Sequence, residues 1–559
     1  MSFATRQERH STMQPNRAKV MSATKLYRRS LLGGFTAAAA ASATAPYARA
    51  APAQVLRIAM TASDLPTVTG IPNNGGEGFR FLGYPAYDGV INWDYTHVDQ
   101  TADATPGLFE SWAIDPGNPT RWIFTLRAGV TFHDGSPLTM DDIVWNLQRV
   151  WDEKSPQYDA PAAPIVRATV TMMDRWEKID DGKIALYTKS PFSFFHYLLA
   201  SFLIASPRQW EKMGRSWAGF AKAPSGTGPF KITRIVPGQY AELSRNDSYW
   251  NKSRVPKLDR IAVYPMPEAT TRVAALRSGQ VDWIEVPPPD AIPSLRGAGF
   301  QISLWPYPHT YPYVLNCAPG TVFSDARVRQ AINFAIDREG LCAMLNGTAK
   351  PAYGFYPPDH PLFGRPKLRY GHDPERAKEL LAQAGYGPNK RPRAKIMIST
   401  SGSGQMVPIP INEFLQQNFA AVGIDVDFDV VEWGTMLIAR RSPPSPATSH
   451  GDDGINNSLG YTDPSTLYRL FATASFPPAS TNWGHFSNAR FDDLTTRAQA
   501  SFDVVEQTRL LAEAHAILVD EAAWLYICHD LNPRAMSKSV QNFHPAQSWS
   551  QDFTHITMG

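Results

Sequence analysis

The chain has 559 residues, of which 43% are hydrophobic and 19% charged, and its formal net charge is +3. Residues 1–50 carry eight Lys/Arg against one Glu, so the remainder holds 46 basic and 50 acidic groups, a slightly acidic body that argues against a nucleic-acid partner. About 510 residues with no 18-residue apolar run predict a soluble globular protein of more than one structural domain.

In chain order, the first feature is a targeting segment. Arg28-Arg29 precedes Ser30-Leu31-Leu32, an alanine-rich stretch follows, and Ala48-Arg49-Ala50 closes it. A basic leader, a weakly apolar core and an A-x-A site predict a cleaved export signal over residues 1–50, of the twin-arginine type. Leu31–Ala45 is too short and too rich in small residues to span about 30 Å of hydrocarbon, which disfavours a membrane anchor. The expected translation start is Met21, the expected mature start lies near Ala51, and the expected compartment is the periplasm.

Val55–Met60 reads as a strand, and residues 61–80 as loop. Arg121–Leu126 alternates apolar and polar residues, the period of a strand. His133-Asp134-Gly135 turns, with the imidazole expected to bond turn backbone. Thr139 with Asp142 three residues on predicts a capped helix start, and Ile143, Leu147, Val150 and Trp151 follow at helical spacing. Further helices are predicted over Pro267–Ser278, Ser324–Asp337, the segment after Asp373-Pro374, and Thr508–Val519. Gly279 and Gly385 supply the stops of two of them. Strands are predicted over Val281–Val286, Val426–Val431 and Ala523–Ile527. This alternation predicts mixed α/β. Arg440–Ser449 reads as a Pro/Ser-rich loop.

Catalytic patterns are missing. There is no HExxH, no GxSxG and no Walker loop, so no metal, cofactor or nucleophile is implied and the chain is not expected to be an enzyme. Cys317, Cys342 and Cys528 form no CxxC and, being odd in number, predict buried free thiols. Asp452-Asp453 lies in a Gly-rich loop and reads as a solvated pair.

The stretch from Trp122 to Val144, through Phe132-His133-Asp134-Gly135-Ser136-Pro137 and Asp141-Asp142, closely resembles a signature of family 5 extracellular solute-binding proteins. These are the dipeptide/oligopeptide-binding components of ABC importers. Gly226-Thr227-Gly228-Pro229-Phe230 with Asn246–Trp250, Ala275–Asp282, Asp325–Asp337 and Asp373–Gly385 agree in the same order. The resemblance covers about residues 55–559. It implies the two-lobed periplasmic binding protein fold of the large peptide-binding type, with three domains and a hinged cleft. Domain I would comprise 51–90, 226–315 and 521–559, domain II 91–225, and domain III 316–520.

The resemblance also implies a ligand site. In the peptide-binding branch a Trp after an acidic residue, followed by a basic residue about seven positions on, lines the cleft. Glu432-Trp433 and Arg440-Arg441 match that pattern. Trp433 offers a flat apolar face, and a guanidinium can fork two hydrogen bonds onto a carboxylate or phosphate. Ordinary core packing for Trp433 and a solvated charge for Arg440 are the competing readings. The family stretch W-G-x-D-x-x-D-P is replaced by Asn457-Ser458-Leu459-Gly460-Tyr461-Thr462-Asp463-Pro464. Gly460 stands where the family has the Asp that holds a peptide ammonium, which weakens the case for a plain di- or tripeptide. Asn456, Asn457 and Ser458 could bond amides, hydroxyls or sugars. Tyr311 and Tyr313 could flank a ring or a peptide backbone, Glu285 could supply negative charge, and Thr61, Ser63 and Asp64 could line the opposite wall. Trp483 and Trp549 are further aromatic candidates.

The implied function is a monomeric binding protein that captures a peptide-like or opine-like solute by lobe closure and delivers it to an ABC permease with its ATPase subunits at the inner membrane. An oligosaccharide or glycoside is the alternative cargo, and a periplasmic hydrolase the alternative class.

Overall fold

The computed structural model describes residues 53–73 and 76–559, and the export signal predicted over 1–50 lies outside them. Two seven-stranded sheets organise the chain. The first has the order Gln301–Ser303, Arg534–Met536, Trp283–Glu285, Val55–Met60, Arg260–Pro265, Tyr240–Arg245 and Phe230–Val236. The second runs Ala349–Pro351, Trp524–Asp530, His309–Leu315, Gly454–Asn456, Arg393–Ser399 and Asp425–Val431, with Leu459–Gly460 paired to the beginning of His309–Leu315. The chain leaves the first sheet after Ser303, enters the second at His309, and returns between Asp530 and Arg534. These two crossings lie side by side, with Trp305 N donating to Leu531 O at 2.7 Å.

Local chemistry explains the elements. Thr139 and Asp142 close the expected capping box, and helix Met140–Trp151 buries Ile143, Leu147 and Val150 on one face. Asp373 caps helix Pro374–Gln383, after which Gly385 takes a positive φ of 83°. A separate antiparallel sheet, in the order Phe109–Asp115, Asn118–Leu126, Lys183–Thr188 and Met173–Lys178, packs Trp122 and Phe124 against Phe195. The His133 ring bonds across to another segment: Nε2 lies 3.0 Å from Gly228 O, and Gly226 N donates to Nδ1. Gly226 and Gly228 press so closely on Ala86 and Tyr87 that a β-carbon would meet Ala86 backbone at 2.3 and 2.5 Å, which is why the chain needs glycine there.

The structure departs from expectation in two segments that bear on the cleft. Residues within 61–80 are not all loop: helical turns run over Gly76–Gly78, Phe79–Gly83 and Tyr84–Ala86. Arg440 and Arg441 do not begin a loop but end helix Trp433–Arg441, whose amino end is capped by Glu432 through Gly434 N at 2.6 Å. Two cations in the last turn complement the helix dipole. All three cysteines are unpaired, with Cys342 and Cys528 buried.

His515 ties the core of the second lobe to its long loop. Nε2 accepts from Phe355 N at 3.0 Å and Tyr356 N at 3.2 Å, while Nδ1 lies 2.6 Å from Phe363 O. Burial lowers its pKa to about 3, and burial likewise lowers His309 to about 3 and His529 to about 4. An unfolded histidine titrates near pH 6.5. Stability is therefore fully present above that pH and is lost as the pH falls towards the folded values. Denaturant titrations from pH 7 to 4 are expected to show this decline, and His515→Gln to lower its slope by about one proton. An unchanged slope would contradict this role for His515.

Candidate functional site

The site is built where segments carried by the two sheets meet. From the first lobe, Thr61 follows strand Val55–Met60, and its hydroxyl donates to Gly402 O at 3.3 Å. The backbone N of Glu77 donates to Ser403 Oγ at 3.2 Å. The walls thus meet directly at loop 400–405. Gly402 has a φ of +127°, and a β-carbon there would lie 2.4 Å from the Trp433 ring, so the loop is moulded onto the indole. Ser458 secures the same loop by donating to Ser403 O at 2.8 Å.

Beside this contact lies a cavity of about 270 Å³. Phe79, Tyr84, Trp93, Tyr197 and Trp549 supply aromatic surface from one side, and Gly460, Asp463 and Arg469 come from the other. Trp549 is stacked on His309 at 5.7 Å between centroids, and His309 on Tyr307 at 4.7 Å. Arg469 donates to Asp463 at 2.9 Å, so the acid that follows Gly460 is already compensated. Arg440 is half-buried and makes no hydrogen bond or ion pair among the described residues. Desolvation first, then the charges of Arg441 and Arg469, push its pKa down to about 10. Arg440 is thus a desolvated cation near Arg441 and Arg469, of which Arg469 already has Asp463 as its counter-ion.

The other candidate residues are distributed as follows. Trp433 is buried, with its indole N–H unpartnered among the described residues. Arg441 is exposed at the helix end. Asn456 spends both amide groups inside the sheet, donating to Pro312 O at 3.0 Å and accepting from Asn412 at 2.7 Å. The Tyr313 hydroxyl donates to the same Asn412. Asn457 donates to Ser458 O, and its carbonyl oxygen has no partner among the described residues. The hydroxyl of Tyr311 is likewise buried without one. Gly460 is exposed into the cavity opposite Pro308. Ser63 is exposed, and Asp64 lines a different and larger cavity of about 890 Å³ on the outer side of the loop 64–73, facing Trp217 and Ile235.

Glu285 is engaged elsewhere. Arg80 Nη2 lies 2.8 Å from Oε2, Arg534 Nε lies 3.5 Å from Oε1, and the Trp283 indole donates to Oε1 at 2.6 Å. Arg80 and Arg534 also share Gln551 Oε1, at 3.0 and 3.1 Å, and Arg80 sits over the Trp549 ring. This buried charge network backs the aromatic wall of the cavity. Sequence reasoning did not reach Arg80, Arg469, Tyr197 or His309. For Arg469 a signal existed in its spacing from Asp463 across a helix start; for Arg80 none did, because its partners lie more than 200 residues away. Asp452, read as solvated, is buried: the adjacent Asp453 pairs with the backbone of Lys395, accepting from Lys395 N at 3.0 Å and donating its own N to Lys395 O at 2.7 Å, which draws the loop under the sheet edge.

Comparison with known proteins places this architecture. The chain is 25% identical over 498 residues to the di/tripeptide-binding protein 2 of Pseudomonas aeruginosa strain UCBPP-PA14, covering 86% of this chain and 91% of the relative. It is 28% identical over 443 residues to the glutathione-binding protein GsiB of Escherichia coli K12, covering 78% and 82%. The solved periplasmic binding protein DppA from Helicobacter pylori, in complex with the peptide STSA, superposes with a TM-score of 0.77 at 23% identity, over 90% of this chain and 98% of that one. The family model for the middle part of bacterial extracellular solute-binding proteins, family 5, matches residues 103–476. With this match spanning two thirds of the sequence, and with two sheets joined by paired crossings, the chain belongs to the bacterial extracellular solute-binding proteins of family 5.

Proposed function

We propose that this protein captures a peptide-like or opine-like solute with an anionic end outside the cytoplasm and delivers it to an ABC permease, without chemical turnover. The observation that carries the reading is the half-buried Arg440, unpaired among the described residues and within the field of Arg469, together with the replacement of the ammonium-binding acid by Gly460 in the cavity that Arg469 also lines. A carboxylate or phosphate would pair with Arg440 through charge-assisted bonds. The direct contacts between Thr61 and Gly402 and between Glu77 and Ser403 describe lobes in contact, and a ligand favours that state only as far as it contacts it better than the open one. Export by the twin-arginine route, from Arg28-Arg29, and a monomeric state belong to the same proposal.

The test is native mass spectrometry of the protein purified from the periplasm of its source bacterium. A non-covalent adduct that dissociates chemically unchanged is expected, and it identifies the cargo. Conversion of that adduct to products, or no binding to any released periplasmic solute by calorimetry, overturns the proposal. The five aromatic rings around the cavity favour a second reading, a neutral glycoside stacked on Trp549 or Tyr197. A sugar-bearing adduct would select it.

A further inference from the structure

Away from the cleft, the two ends of the excursion that carries Trp433 and Arg440 come together. Asp429 lies in strand Asp425–Val431, and His450 and Asp452 stand where the chain returns. His450 Nδ1 is 2.6 Å from Asp429 Oδ2, and one donor atom from each of Asp429, His450 and Asp452 falls within 4.8 Å of the others. The Asp452 side chain is fully buried, yet neither of its oxygens accepts a hydrogen bond among the described residues. Lys395 is the neighbouring cation. Its ammonium is 3.1 Å from Asp452 Oδ1 and 3.8 Å from Asp429 Oδ2, in ion contact only, and its side chain is 43% exposed. Two carboxylates therefore converge on one flexible ammonium and one imidazole.

We propose that Asp429, His450 and Asp452 form a site for a divalent transition cation of the Zn²⁺ type. One imidazole nitrogen with two carboxylate oxygens is a donor set that such cations accept at about 2.0–2.2 Å, leaving a fourth position for water. The nitrogen donor selects against Mg²⁺ and Ca²⁺, which take oxygen sets. Neutral His450 with its proton on Nε2 offers the Nδ1 lone pair. Ligand atoms on one tetrahedral cation stand about 3.3 Å apart, so the 2.6 Å pair opens slightly while Asp452 closes in. Lys395 withdraws along its stem into water. The cation would clip Asp429 to His450, 21 positions on, and so fasten the base of the segment that presents Trp433 and Arg440.

The experiment is calorimetric titration of the chelator-stripped mature protein with Zn²⁺ alone, alongside thermal melts with and without the ion. One equivalent bound and a raised melting midpoint are expected. His450→Ala should weaken binding by at least about tenfold. The His450 side chain is 45% exposed, so this variant keeps the fold, and Asp429→Asn provides a second ligand change. Lys395→Gln should tighten binding by removing the competing ammonium. No saturable uptake, or uptake that His450→Ala and Asp429→Asn leave unchanged, overturns the site.

Discussion

Glu285→Gln is expected to destabilise the protein by about 3–5 kcal/mol. The carboxylate is 1% exposed and stands against two guanidinium groups that are equally buried, Arg80 at 2.8 Å and Arg534 at 3.5 Å. Burial, and then the charge of Arg80, already push Arg534 down to about 10. Removing the anion leaves two converging cations beside Trp283 and Trp549, with Gln551 between them and Glu77 and Asp530 as the remaining buried acids nearby. The amide oxygen of Gln can still accept from the Trp283 indole, so the loss isolates the charge. Urea unfolding should show a lower midpoint with unchanged slope, because the exposed surface is the same. Replacing Arg80, Glu285 and Arg534 together by Met should recover much of the loss, since a buried ionic cluster is often worth little against apolar residues that fill its volume. A Glu285→Gln loss below about 0.5 kcal/mol would mean that water or rearrangement compensates the pair. The network also backs the aromatic wall, so ligand affinity should fall with stability.

The second large effect is on binding. Arg440→Ala should weaken capture of the anionic cargo by about 2–4 kcal/mol, because the ligand charge would be left in the closed cleft without its partner. The expectation rests on Arg440 ending helix Trp433–Arg441, half-buried and unpaired, within the field of Arg469. The same substitution should leave folding stability unchanged or slightly raised, since it removes a desolvated charge that the free protein does not satisfy. That opposition in sign separates a ligand-binding arginine from a structural one. Calorimetry with the co-purified solute and denaturant melts of the free protein measure the two effects. A change in affinity within about 0.5 kcal/mol would remove Arg440 from the site and favour the neutral glycoside.

Much of the fold was legible in the sequence because it rests on short-range rules. A hydroxyl three residues ahead of an acid, as at Thr139 and Asp142, can only cap a helix start that both share. Asp373 with Pro374, and Gly385 after the last periodic apolar residue, mark a start and a stop within one segment. Strand Val55–Met60 was readable from its own side chains. Helix Trp433–Arg441 was not, because the prolines that follow it suggested loop, whereas the cap on Glu432 and the dipole at Arg440 act inside the turn before them.

The site depended on residues that sequence distance keeps apart. Arg80 and Gln551, 471 positions apart, meet only because the first sheet gathers strands from the beginning, the middle and the end of the chain. Glu285 reads in sequence as a free acid, and the tertiary structure gives it two arginines. Asn456 reads as a ligand-facing amide, and the sheet supplies partners for both its polar ends from Pro312 and Asn412. Asp452 reads as solvated and becomes buried because its neighbour Asp453 pairs with the backbone of Lys395. Local hydrogen bonds and apolar periodicity are fixed by neighbours in sequence. Whether a polar group is left unsatisfied, and so free to hold a ligand, depends on which distant segment packs over it, and only the folded chain decides that.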